Sequence, residues 1–178
     1  QHHVSLVTST VTASYDTSLD ESNPTSNSNQ TESALLGISD IGTDSRLLFE
    51  FPLNYTSSDS IHSATLNLVC VEDSLSSTDI SIYATTPSSW NSTTATWQQS
   101  DTGVPWDSPG ADGSNDRGAW EPPFRSSSSA TFALNVTAIA QSAASTNQSS
   151  VNILLSGIGS QYQCSLSEDV DPLYRPQL

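Results

Sequence analysis

The 178-residue chain has no lysine, and its four arginines face nineteen carboxylates, giving a formal net charge of −15. So little positive charge means repulsion from nucleic acid and from anionic membranes, which excludes both as partners. Strongly acidic glycans are repelled too, unless a cation intervenes. No apolar run approaches the roughly 18 residues that span a bilayer, so no membrane insertion is expected. Nucleophilic catalysis lacks its parts: there is no Gly-x-Ser-x-Gly, and of three histidines His2 and His3 are terminal while His62 precedes a strand. Nothing singles out a catalytic pair among the carboxylates, so no enzyme is expected. Without a signal peptide the sequence reads as a mature chain with Gln1 near its processed end. The length suits a single domain, 1–178.

Cysteine is scarce. Cys70 and Cys164 stand 94 positions apart. They are two buried thiols or one disulfide, which in the loop-entropy account is worth roughly 4–5 kcal/mol.

Ser, Thr and Asn are abundant, whereas charged residues make up only 13% of the chain, so the surface is hydroxyl-rich rather than salt-bridged. Five N-glycosylation sequons begin at Asn29, Asn54, Asn91, Asn135 and Asn147. Proline blocks the one at Asn23. The sequons point to a chain outside the cell.

Period two dominates the pattern. SATLNLVC puts Ala64, Leu66, Leu68 and Cys70 on one face, with Thr65 and Asn67 on the other. RLLFEF sets Leu47, Phe49 and Phe51 against Leu48 and Glu50. Phe132, Leu134 and Val136 point inward while Asn135 points out; Tyr162, Cys164 and Leu166 align, as do Ile80 with Ile82 and Val151 with Ile153 and Leu155. These are half-buried antiparallel strands. Both cysteines fall on apolar faces, which favours a bond across the core, provided their Cα atoms come within about 7 Å. Turn-formers separate the strands at Ser22–Asn27, Asp40–Asp44, Ser57–Ser60 and Ser126–Ser129. Asp107–Ser129 reads as the one long connection. Only Thr137–Ser145 has a helical pattern, with Ile139, Ala140 and Ala143 on one side. The expectation is an all-β, antiparallel β-sandwich of jelly-roll type with about ten strands and minimal helix.

The motifs YDTSLDESNPTSN, SRLLFEF, SATLNLVC, SSWNSTTATW, GVPW, FALNVTAIAQSA, SLSED and YRPQL occur in that order. Their succession resembles the DNRLRE-type domain, also called carbohydrate-binding module family 96, over nearly the whole chain. The family pattern falls on Asp16, Thr17, Asn23, Arg46, Phe49, Ala64, Leu66, Trp90, Trp97, Trp106, Arg175 and Pro176. The six letters that name the family do not occur here. The family's last strand normally continues past Arg-Pro-x-Leu, whereas this sequence ends at Leu178, as a clipped precursor or a strand completed by another chain would. The resemblance implies a jelly-roll sandwich that binds polysaccharide without catalysis.

Trp90 and Trp97 are separated by an odd number of positions, so on one strand they would face opposite ways and form no common platform. They are expected to anchor the core or a loop. Trp106 and Trp120 flank the long polar connection and are the candidates for stacking on a sugar. Asp112, Ser114 and Asp116 present oxygen side chains at alternate positions, like the start of a calcium loop. Arg117 and Pro123 stand where an EF-hand needs glycine and glutamate, so only a looser calcium site is in question. Gln1-His2-His3 matches an amino-terminal copper or nickel site, a pattern that cyclisation of the glutamine would abolish. Arg46 and Arg175 are expected in ion pairs with Asp16 or Glu168. The leading function is a secreted or cell-surface glycoprotein module that binds polysaccharide. The alternative is a structural subunit of an extracellular filament or surface layer, assembled from copies of itself by donating the β-branched N-terminal strand, residues 1–14.

Overall fold

The structure, a computed structural model, describes residues 6–55, 60–72, 78–86, 90–126 and 130–178. Its strands are β1 (Tyr15–Asp20), β2 (Ser33–Ile38), β3 (Asp44–Pro52), β4 (Thr65–Glu72), β5 (Asp79–Thr85), β6 (Gln99–Asp101), β7 (Val104–Pro105), β8 (Arg117–Arg125), β9 (Thr131–Asn135), β10 (Ser150–Ile158) and β11 (Tyr162–Ser165). The helix α1 covers Thr137–Ser145, as its sequence pattern predicts. Among the described residues no helix is long and apolar enough to cross a membrane.

All strand pairs are antiparallel, and hydrogen bonding runs without a break through β8-β5-β10-β3-β2-β11-β4-β9, with β1 on the free side of β3. The fold is therefore the expected all-β sandwich, nearly closed into a barrel. β2 makes the corner. Its first four residues pair with β11, and Gly37 and Ile38 then cross to Ser45 and Asp44 of β3. Gly37 has φ +115°, and a Cβ there would lie 2.6 Å from the Ser160 carbonyl oxygen, so the corner requires glycine.

Between the layers the alternation holds. Phe51 faces Val151, Phe49 faces Ile153 and Leu47 faces Leu155 across β3–β10, while Leu66 faces Leu134 and Leu68 faces Phe132 across β4–β9. All ten are fully buried in one cluster, which Ile139, Ala140 and Ala143 of α1 extend. Buried Glu121 of β8 accepts the Ile139 amide at 3.0 Å, placing a carboxylate at the positive end of the helix. Cys70 and Cys164 are bonded, their Cα atoms 4.0 Å apart. They are register partners on the adjacent strands β4 and β11, so the bond staples two neighbours within a layer instead of crossing the core.

Two expectations need correction. The long connection Asp107–Ser129 ends in a strand, β8, which closes one end of the pairing order. Pro122 and Pro123 hide it in the sequence; proline is tolerated there because an edge strand needs fewer donors. The second correction is larger. Leu48 and Leu154 lie on the outward faces of β3 and β10, yet both are completely buried. The segment that leaves β5 folds back over this face. Trp90, Ala95, Trp106 and Ala111 pack on Leu19, Leu48 and Leu154 to form a second apolar cluster, with Tyr83 and Trp97 at its margin. The sheet β1-β3-β10-β5-β8 is thus covered on both sides.

Leu48→Ala separates the two pictures. The covered sheet predicts a loss of about 2–5 kcal/mol in unfolding free energy by urea titration, as for a core leucine. A change under about 0.5 kcal/mol, ordinary for surface positions, would return Leu48 to solvent.

Candidate functional site

The cover is fixed by polar contacts as well as apolar ones. Trp90 Nε1 donates to Asn152 Oδ1 at 3.0 Å, and Trp106 Nε1 donates to the Thr96 carbonyl at 2.9 Å. Asn27, in the Asn-Pro turn after β1, donates to the carbonyls of Ser92 (2.8 Å) and Ala95 (2.6 Å). Arg46, buried to 8% exposure, binds Asp44, donates to the Gly110 carbonyl at 2.7 Å and reaches Asp112 at 3.1 Å. Its guanidinium also lies over the Trp97 ring, 5.1 Å from the centroid. Gly110 (φ +78°) passes so close beneath Trp97 that a Cβ would fall 2.6 Å from the ring. Arg117 completes the clamp: it donates to the Ala111 carbonyl and to Asp112, and stacks on Tyr83 at 4.4 Å.

This arrangement decides where several candidate residues stand. Trp106 is only 5% exposed and offers no face to a ligand; its ring fills the second cluster, correcting its expected role. Trp120, the register partner of Tyr83 on β8, is 64% exposed. Trp90 and Trp97 serve as anchors, as their spacing suggests. Asp112 is held by two guanidiniums, and buried Asp116 accepts the amides of Asp107, Ser108 and Gly113 at 2.8–3.0 Å. Both carboxylates are thereby employed in shaping their own loop, while Ser114 points to solvent. Among the described residues no group of three or more His, Cys, Asp or Glu side chains could hold a metal ion. Gln1, His2 and His3 lie outside the described residues, and His62 is exposed. Of the sequon asparagines, Asn54, Asn135 and Asn147 are exposed and Asn29 and Asn91 half-buried.

Where the edge of the cover meets the sheet there is a groove of about 440 Å³, lined by Tyr15, Glu50, Trp90, Asn91, Ser92, Thr93 and Asp101. Its volume falls within the roughly 300–1,000 Å³ typical of ligand sites. Tyr15 and Glu50 are partners on β1 and β3, so the aromatic ring and the carboxylate project side by side. Tyr15 is 54% exposed, whereas Trp90 supplies an almost wholly buried wall. Hydrogen bonds from the Thr94 hydroxyl (2.6 Å) and the Thr102 amide (2.7 Å) hold the Asp101 carboxyl below the usual range. Burial pushes the Glu50 carboxyl up, opposed by a hydrogen bond from Ser150. An open ring can pack against the C–H face of a sugar, and the surrounding amide, hydroxyls and carboxylates can meet its hydroxyls. The sequence gives Tyr15 and Asp101 no prominence. Only the shared face of Tyr15, Thr17 and Leu19 along β1 points to the first.

The ion pairs expected of Arg46 and Arg175 are not formed. Arg46 serves the cover, and Arg175 donates to the Asp169 carbonyl at 2.8 Å. Asp16, beside Tyr15, is instead buried against Ser167, whose amide (2.7 Å) and hydroxyl (2.9 Å) it accepts, with Glu168 adjacent. Burial raises its pKa to about 7, against the Ser167 bonds and reinforced by Glu168. A carboxyl that holds its proton more tightly when folded stabilises the fold fully below its unfolded value of 3.8 and loses that contribution as pH rises through about 7. The melting temperature should therefore fall between these pH values, and Asp16→Asn should flatten the fall. Parallel wild-type and variant profiles would contradict this assignment.

No curated protein matches the chain. The family model of carbohydrate-binding module family 96 matches residues 7–171. With the sheet, its cover and an aromatic, hydroxyl-lined groove in place, the chain belongs to carbohydrate-binding module family 96.

Proposed function

We propose that this protein is a secreted or cell-surface glycoprotein module that holds polysaccharide without transforming it, using the groove between Tyr15 and Trp90. The observation that carries the reading is the half-exposed Tyr15 ring, fixed beside hydrogen-bonding side chains in a groove of ligand size. The family match supports a carbohydrate ligand. The disulfide and the sequons support an extracellular setting. Trp120 is a second stacking candidate. Four strand spacings, about 19 Å, separate its strand from that of Tyr15, and the cover rises between them, so the two act independently. Calcium has no assigned place in this reading.

Retention on a panel of insoluble cell-wall and algal polysaccharides, with and without calcium, tests the proposal. The protein should be retained on at least one, and Tyr15→Ala should weaken retention about tenfold, or ~1.4 kcal/mol. Trp120→Ala should leave binding at the groove intact. No retention on any polysaccharide would overturn the reading.

The filament alternative draws on one observation. Leu6 and Val7, 73% and 84% exposed, precede Val11, which pairs with Leu178 through 2.8 Å backbone bonds. An apolar segment beside an existing pairing edge is suited to strand donation. Electron microscopy of native material should then find filaments with a regular repeat; monodisperse monomers at high concentration would dismiss it.

A further inference from the structure

A second cavity, of about 250 Å³, opens at the end of the sandwich where β3 finishes and β4 begins, and it shares no lining residue with the groove. Val11, Leu53, Ile61, Ala64, Ala140 and Leu178 supply its apolar lining, and no Asp, Glu, Lys, Arg or His side chain lines it. The volume is below the roughly 300–1,000 Å³ of small-molecule sites and suits inserted side chains instead. Thr8 to Val11 form one wall, fastened by a 2.7 Å hydroxyl bond between Ser9 and Tyr55. Leu6 and Val7 continue from that wall, yet they stand 73% and 84% exposed and outside any strand ladder. The first of the nineteen carboxylate side chains is Asp16, so this arm is as free of negative charge as the pocket.

We propose that Leu6 and Val7 of one copy fill this pocket on a second copy, reciprocally, so that two chains pair about a two-fold axis. Chains of net charge −15 repel wherever their carboxylates meet, and a two-fold contact sets one patch against itself. The patch must therefore be neutral, and arm and pocket together meet that condition. Donor and acceptor also adjoin: two residues of extended chain, about 7 Å, separate Leu6 from Thr8 on the pocket wall. A contact built this way closes on its own copy, whereas a filament needs donor and acceptor on different faces. The pairing thus goes beyond strand donation into a filament, and it is independent of what the groove binds. Asn54 belongs to the same lining, so a glycan at its sequon would hold the two copies apart.

Sedimentation velocity of the full, unglycosylated chain over a concentration series tests this. The mass should rise from 18.9 kDa towards twice that value and stop there. Leu6→Asp/Val7→Asp, at exposed positions where the fold tolerates change, should weaken pairing at least about tenfold by bringing charge into the apolar pocket. Thr65→Glu, at an exposed position of the pocket lining, should do the same. Ile41→Asp adds a like charge at an 84% exposed apolar position in the β2–β3 turn, outside the pocket, and should keep the pairing. A monomer at every concentration overturns the inference, as does a pair that survives Leu6→Asp/Val7→Asp or Thr65→Glu. Equal losses in Ile41→Asp and Thr65→Glu assign the effect to net charge and overturn the pocket. Growth past two copies overturns the two-fold closure and favours the filament reading.

Discussion

Leu48 and Leu154 impose the constraint from which the architecture follows. They are apolar residues on the outward side of a central strand pair, and leaving them wet would forfeit roughly 1.5–3 kcal/mol each. The chain answers by returning between β5 and β8 to lay Trp90, Ala95, Trp106 and Ala111 over them. A cover of largely irregular backbone, with a single short ladder between β6 and β7 among its described residues, must be tied down at its other polar groups. Asp116 accepts three of its amides, Asn27 donates to two of its carbonyls, and Arg46 reaches from β3 to Gly110 and Asp112 while its plane lies on Trp97. In a chain with four cations, two are committed to this one loop, which is why Asp112 serves as a counter-ion.

The same cover creates the groove. It shields the middle of the sheet and stops short of Tyr15 and Glu50, leaving a step between sheet and loop. Rigidity is built in on both sides. Glu50 and Tyr15 stand on paired strands, Trp90 is held by Asn152, and Asp101 is held by Thr94 and Thr102. Little ordering remains for a ligand to impose, which favours binding by a surface made mainly of short side chains.

The inner core was legible because it obeys period two. Leu66, Leu68, Phe132 and Leu134 read correctly since one side of their strands faces the other layer. The outer core was not, because its partner on each strand face is a distant loop and alternation carries no sign of it. Leu48 therefore reads as exposed, and Trp106, one of the side chains that hides it, as a surface ring. Arg46, expected to pair with Asp16 or Glu168, pairs with neighbouring Asp44 and with the Gly110 carbonyl and Asp112, which lie more than sixty positions away. Strand parity placed Cys70 and Cys164 inside; which strands are neighbours is a matter of topology that parity does not encode. The groove drew on both gaps, needing the corner at β2, the pairing of β1 with β3, and the margin of the cover.

Hydrogen exchange at the tryptophan indole N–H groups, followed by NMR on the intact chain, tests the cover most directly. If the loop seals the outer face, the indole protons of Trp90 and Trp106, bonded to Asn152 and the Thr96 carbonyl, exchange slowly, while that of Trp120 exchanges at the rate of a free indole. Fast exchange at Trp90 and Trp106 alike would mean an open loop, a bare sheet and no groove.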